Sequence, residues 1–209
     1  MKKVLLLILS SIFGITISNA QPKPTKDSII NVVLKSINDF SDREAKRDSI
    51  LHHPLGSNTE EDFLRRYTFA DSIYSALNKL DKNTLSVEGQ INLELLKYDV
   101  EEDVSLYKFK AYLNPILSDA GFHTGLASMG SQVLSSQKEF ENYINRLKDI
   151  PRFMEENIAL MRSGLQLGIC QPRSILNGYE NTYEQHIVTD IEKSVFWKPA
   201  AFISSPARR

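Results

Sequence analysis

With 209 residues, 42% of them hydrophobic, the chain has room for one domain of ordinary size and enough apolar material to give it a core. Its 25 basic and 26 acidic residues are nearly balanced and the basic ones form no concentrated cluster, which argues against a nucleic-acid binder. Cys170 is the sole cysteine, so an intrachain disulfide is excluded and stability must rest on apolar burial.

Lys2 and Lys3 precede an uncharged, mostly apolar stretch from Val4 to Ile17. Ser18-Asn19-Ala20 then puts small residues at the two positions that a signal peptidase reads. The stretch is shorter than the roughly 20 residues that span a bilayer. Gln21-Pro22-Lys23-Pro24 cannot continue a helix, so an uncleaved anchor is the poorer reading. No cysteine lies near the cut to carry a lipid. The sequence thus predicts a cleaved signal peptide over residues 1–20 and a protein exported to the periplasm or beyond, with no membrane attachment afterwards. Cleavage removes two lysines and no acid, which leaves 189 residues with a net charge of −3.

Residues 21–58 read as a helical leader. Ile30, Val33, Ile37 and Phe40 fall at helical spacing, and a second, polar helix is expected from Arg43 to Leu51. His52-His53-Pro54-Leu55-Gly56 is a loop by its Pro and Gly. A helical domain is expected over residues 59–199. It opens at Thr59, whose spacing to Asp62 resembles a capping box, with Phe63, Tyr67, Ala70, Tyr74 and Leu77 on one face. Asp81-Lys82-Asn83 ends that helix and Ser86 caps the next, which carries a stripe of Ile91, Leu95 and Tyr98 with Leu96, Val100 and Val104 beside it. Asn114-Pro115 interrupts the helical pattern, and residues 121–130 look irregular. Ser136 with Glu139 forms a Ser-x-x-Glu capping box above Phe140, Tyr143, Ile144 and Leu147. Pro151 suits the first turn of a further helix, with Met154, Ile158, Met161 and Leu165 expected to be buried together and Gly168 as its stop. Pro172 starts one more, carrying Ile175, Leu176, Tyr179 and Tyr183. Residues 200–209 look like an irregular, truncated tail, and Val195, Phe196 and Trp197 before it are expected to be exposed. The fold class is all-α: an antiparallel helical lobe of about seven helices after the signal peptide.

The chemistry-bearing residues are scattered. None of His52, His53, His123 and His186 belongs to a His-Glu-x-x-His pattern, which places two zinc ligands one helical turn apart beside a glutamate that activates water. His52 and His53 read as a solvated loop end, and His123 and His186 as ordinary surface or loop histidines. There is no Gly-x-Ser-x-Gly nucleophile elbow and no Gly-rich phosphate loop. Cys170 lacks the electropositive setting of a reactive thiolate. The acidic groups Glu60-Glu61-Asp62, Glu101-Glu102-Asp103 and Glu155-Glu156 read as helix residues facing water. No catalytic, cofactor-binding or metal-ligating residue is assigned, and no cofactor.

Leu85-Ser86, Tyr112-Leu113-Asn114-Pro115 and, most specifically, the run from Tyr143 to Pro151 carry a resemblance that extends from Asp62 to about Trp197. By these runs the chain resembles the bacterial family catalogued as domain of unknown function 885. Met161 to Gly168, Gln171-Pro172-Arg173 and Ser194 to Pro199 follow in the family's order. It implies an exported, largely helical protein similar to zincin metallopeptidases and longer than this chain. In such proteins the zinc motif His-Glu-x-x-Pro-Gly-His lies in the C-terminal half, and nothing here matches it. The expected function is therefore the N-terminal lobe of a zinc-peptidase-like hydrolase, inactive alone. Its missing partner would be the C-terminal catalytic half, with zinc and a peptide-like substrate belonging to the full-length form. The alternative is a non-catalytic helical binding or assembly module of the cell envelope.

Overall fold

The computed structural model describes residues 27–117, 120–184 and 186–204. The expected signal peptide and the last five residues lie outside them. Among the described residues the fold is all-α, with seven α-helices and one small antiparallel hairpin.

Helices α1 (Ser28–Leu51), α2 (Glu60–Asn78) and α3 (Val87–Lys108) come first. Ile30 and Val33 of α1, Ala70, Ile73 and Leu77 of α2, and Leu93, Val100 and Val104 of α3 form their shared core, closed by Leu85. The leader and the polar helix, expected separately, are one helix of 24 residues, because no Pro or Gly interrupts 28–51. It stops at His52, which adopts the left-handed conformation (φ 57°) and returns its N–H to the carbonyls of Asp48 and Ser49. The capping box at Thr59 and Asp62 is present as read, and the Ser86 hydroxyl accepts from Gly89 N–H. Asp27 adds a long-range stitch, accepting from both the N–H and the hydroxyl of Ser86 to join the starts of α1 and α3.

The two apolar stripes of α3 lie on different faces. Leu93, Leu96, Val100 and Val104 pack into the core. Ile91, Leu95 and Tyr98 point outward, at 57%, 58% and 71% exposure.

After α3 a 3-10 turn (Ala111–Leu113) leads to strands β1 (Ile116–Leu117) and β2 (Ala120–Gly121), with Ile116 opposite Gly121. Residues 124–131, expected to be irregular, form a 3-10 segment. Helix α4 (Gln137–Gln166) starts at the expected Ser136–Glu139 capping box but corrects the sequence reading beyond it. Pro151 does not begin a helix; it lies inside this one, where the Leu147 carbonyl loses its usual donor. Ion pairs from Arg152 to Asp149 and Glu156 span the same turns and reinforce them. The buried face of α4 is also displaced from the expected one. Asn157, Leu160 and Gly164 are buried, whereas Leu165 is 63% exposed. Gly164 decides this, because a Cβ there would stand 2.7 Å from the Leu113 carbonyl oxygen; only glycine lets α4 approach the 111–113 turn so closely. Leu160 then packs with Tyr112 and Leu113.

Gly168 (φ 74°) follows the end of α4 as expected. The single helix expected from Pro172 is instead two separate turns, α5 (Arg173–Leu176) and α6 (Asn181–Glu184), divided at Gly178 with its φ of 79°. Val195, Phe196 and Trp197 are half-buried rather than exposed, because the Tyr143 hydroxyl donates to the Phe196 carbonyl at 2.7 Å and draws this segment onto α4. Residues 200–204, expected to be irregular, belong to α7 (Lys198–Ser204). Among the described residues no helix is long and apolar enough to cross a membrane.

Replacing Pro151 by Ala restores one main-chain donor within α4, while loosening the unfolded chain offsets part of the gain. We expect a net stabilisation of about 1–2 kcal/mol in urea unfolding. A loss of stability would mean that the proline starts a separate helix.

Candidate functional site

The loop His52–Asn58, between α1 and α2, is held chiefly by side chains that reach its main chain. Asp149 of α4 accepts from the Leu55 N–H at 3.0 Å, and Glu156 accepts from the Asn58 N–H at 2.8 Å. Arg152 donates to the Gly56 carbonyl at 2.7 Å and grips Asp149 with two N–H groups, at 2.6 and 2.7 Å. Arg66 of α2 donates to the Ser57 carbonyl. Burial pushes the Asp149 carboxyl up, but the Arg152 guanidinium and the Leu55 N–H outweigh it and hold the group below its ordinary value.

A second network lies between α1 and α2. The carboxylate of Asp62 is 1% exposed and accepts from Thr59 N–H at 2.9 Å, Thr59 Oγ1 at 2.6 Å, Arg65 at 2.9 Å and Arg47 at 2.7 Å. Arg65 also forks onto Glu44, at 2.8 and 2.7 Å. Asp62 and Glu156 were expected to face water; both instead serve buried or half-buried networks. The sequence carried a partial signal in the spacing of Asp62 to Arg65 and of Asp149 to Arg152 and Glu156, while their partners on other elements could not be read from it.

Beside the loop, α1 and α4 leave an open cleft of about 860 Å³. Asp48, His52 and His53 form one side, and Asn142, Asn145 and Arg146 the other. Ser57 Oγ donates to Asp48 at 2.7 Å, so its remaining contact, 2.8 Å from His53 Nδ1, is accepted from an Nδ1–H. That assignment leaves His53 Nε2 as the basic nitrogen. Arg146 Nε is buried without a hydrogen-bond partner among the described residues. Two histidines, two asparagines and a guanidinium suit the recognition of amide and carboxylate groups. Among the described residues no three His, Cys, Asp or Glu side chains come together as a metal-binding group.

The remaining candidates are dispersed. His123, read as a surface or loop residue, is buried at 8% exposure. Its Nε2 lies 2.7 Å from Thr182 Oγ1 and its Nδ1 3.4 Å from the Tyr179 hydroxyl, so it latches the hairpin region to α6. Burial, and then the nearby His186, lower its pKa. Cys170 is exposed. On the opposite side of α4 an apolar groove of about 720 Å³ runs between Ile144, Leu147 and Pro151 and the segment carrying Ile191, Phe196 and Trp197.

Residues 46–207 match the family described as "Bacterial protein of unknown function (DUF885)". The chain belongs to that family. The matched region begins within α1 at Lys46 and takes in the clamped loop, the cleft and the apolar groove. No curated protein matches the chain, and no solved structure matches it.

Asp62 generates a pH prediction. Burial raises its pKa, but the Thr59 hydroxyl and N–H, the Arg65 hydrogen bond and the Arg47 charge bring it from 3.8 down to about 2. A depressed carboxylate stabilises the fold above its unfolded pKa and loses that contribution as pH falls through the folded value. The wild-type chain should therefore lose about 2 kcal/mol between about pH 4 and pH 2 through this residue. Asp62→Asn should be less stable at neutral pH by about 3 kcal/mol, since two guanidinium groups lose a buried partner. Its acid loss over that window should be correspondingly shallower. Parallel acid-unfolding curves for the two proteins would refute the assignment.

Proposed function

We propose that this chain is the N-terminal helical lobe of an exported zinc-peptidase-like hydrolase, forming one wall of a substrate cleft. The observation that carries the reading is membership of the DUF885 family across residues 46–207; the zincin metallopeptidase likeness is what the sequence resemblance to that family implies. The cleft beside the loop supports it, because Asn142, Asn145 and Arg146 offer amide and guanidinium groups to a peptide backbone or carboxylate. The described residues do not fit a zinc centre, so no catalytic step is assigned to them. On this reading the ligands and the water-activating glutamate come from elsewhere in a longer protein. The lysine pair, apolar stretch and small residues of 1–20 support export.

A second reading, a helical binding or assembly module of the cell envelope, is favoured by one observation, the apolar outer face of α3.

Metal analysis and peptide titration separate the two. Purified residues 21–209 should retain far less than one zinc after dialysis and should cleave no peptide. Millimolar peptide should shift the NMR signals of Asn142, Asn145 and Arg146. About one tightly held zinc per chain would place the metal centre here and overturn the division of labour. Silence of those three residues would transfer support to the binding module.

A further inference from the structure

Helix α3 is apolar on two opposite sides. With about 100° between successive residues, Leu93, Leu96, Val100 and Val104 fall on one side and Val87, Ile91, Leu95 and Tyr98 on the other. The first set is in the three-helix core. The second set is exposed, at 76%, 57%, 58% and 71%. One exposed leucine is ordinary in a folded protein, but four large apolar side chains in line along about three helical turns form a continuous surface.

The border of this surface is acidic. Glu88 and Asp99 flank the stripe on one side, and Glu101 lies on the other with Glu94, whose charge is paired with Lys82 at 2.9 Å; Glu102 continues its line beyond Tyr98. Lys108 turns away to Asp71 of α2, and Lys97 lies farther round the helix. A second copy of the chain would bring carboxylates against carboxylates, and an anionic lipid surface would meet the same repulsion. The complementary partner is an apolar helix face bordered by Lys or Arg.

We propose that the outer face of α3 is a docking surface for a basic amphipathic helix of another polypeptide. Val87, Ile91, Leu95 and Tyr98 make the apolar contact, and the carboxylates set orientation and charge preference. The inference does not depend on the hydrolase reading, because it uses no residue of the cleft.

The test is fluorescence anisotropy of residues 21–209 with two labelled peptides of about 18 residues, each a helix carrying leucines at i, i+4, i+7 and i+11. One peptide has a lysine border and the other a glutamate border. The lysine peptide should bind at least about tenfold more tightly, and its affinity should fall severalfold when salt rises from about 50 to 500 mM. Leu95→Glu should weaken it by about tenfold while leaving the melting temperature within a few degrees, since Leu95 is exposed. Asp99→Asn with Glu101→Gln should reduce both the affinity and its salt dependence, a second readout should Leu95→Glu fail to fold. Equal binding of the two peptides, or undiminished binding in these variants, overturns the proposal. A dimer in sedimentation that Leu95→Glu dissociates also overturns it, because the occupant is then a second copy.

Discussion

A loop of seven residues with almost no internal secondary structure has to be satisfied by something, and here the partners are charged side chains from the surrounding helices. Buried main-chain N–H and C=O groups are costly when unpaired. Asp149 and Glu156 take the N–H groups of Leu55 and Asn58, while Arg152 and Arg66 take the carbonyls of Gly56 and Ser57. The three contacts from α4 cross 94 to 98 positions of sequence and tie the end of α1 to the middle of that helix. The clamp is thus a polar link between the three-helix unit and the rest of the chain. The charges that α4 contributes are themselves paired, Arg152 with both Asp149 and Glu156.

Apolar contacts join the same parts along a different line. Phe63 of α2 stacks on Tyr112 at 4.8 Å, Tyr112 on Tyr107 at 5.3 Å, and Tyr107 on Tyr67 at 4.6 Å. This row runs from the three-helix core to the Tyr112, Leu113 and Leu160 cluster under α4. Leu55 enters the third cluster, with Met129, Leu134 and Tyr143, so the clamped loop also contributes an apolar anchor. Polar and apolar links reinforce each other across the junction.

The cleft follows from this arrangement. Fixing the loop against α4 places Asp48, His52 and His53 opposite Asn142, Asn145 and Arg146, and the Asp48–Ser57–His53 chain sets the imidazole tautomer. Such a wall can recognise polar groups; it holds no convergent ligand set among the described residues. Recognition beside the loop and docking on the outer face of α3 use separate surfaces, and a single helical lobe can carry both.

Local signals in the sequence were enough for the all-α class, the caps at Thr59, Ser86 and Ser136, and the stop at Gly168, because each depends on residues within one turn of one another. The family was legible too, from the ordered runs between Leu85 and Pro199. Pro151 misled because a proline favours a helix start, yet tertiary contacts of α4 carried the helix through it. The apolar stripe of Ile91, Leu95 and Tyr98 was visible in the sequence, but its side of the helix was not: both faces of α3 are apolar, and only the packing of α1 and α2 chose between them. Asp62 and Glu156 looked like solvated helix acids because charge alone carries no information about burial. The partners that make them structural lie on other elements, 15 to 98 positions away, so their roles were decided only when the chain had closed.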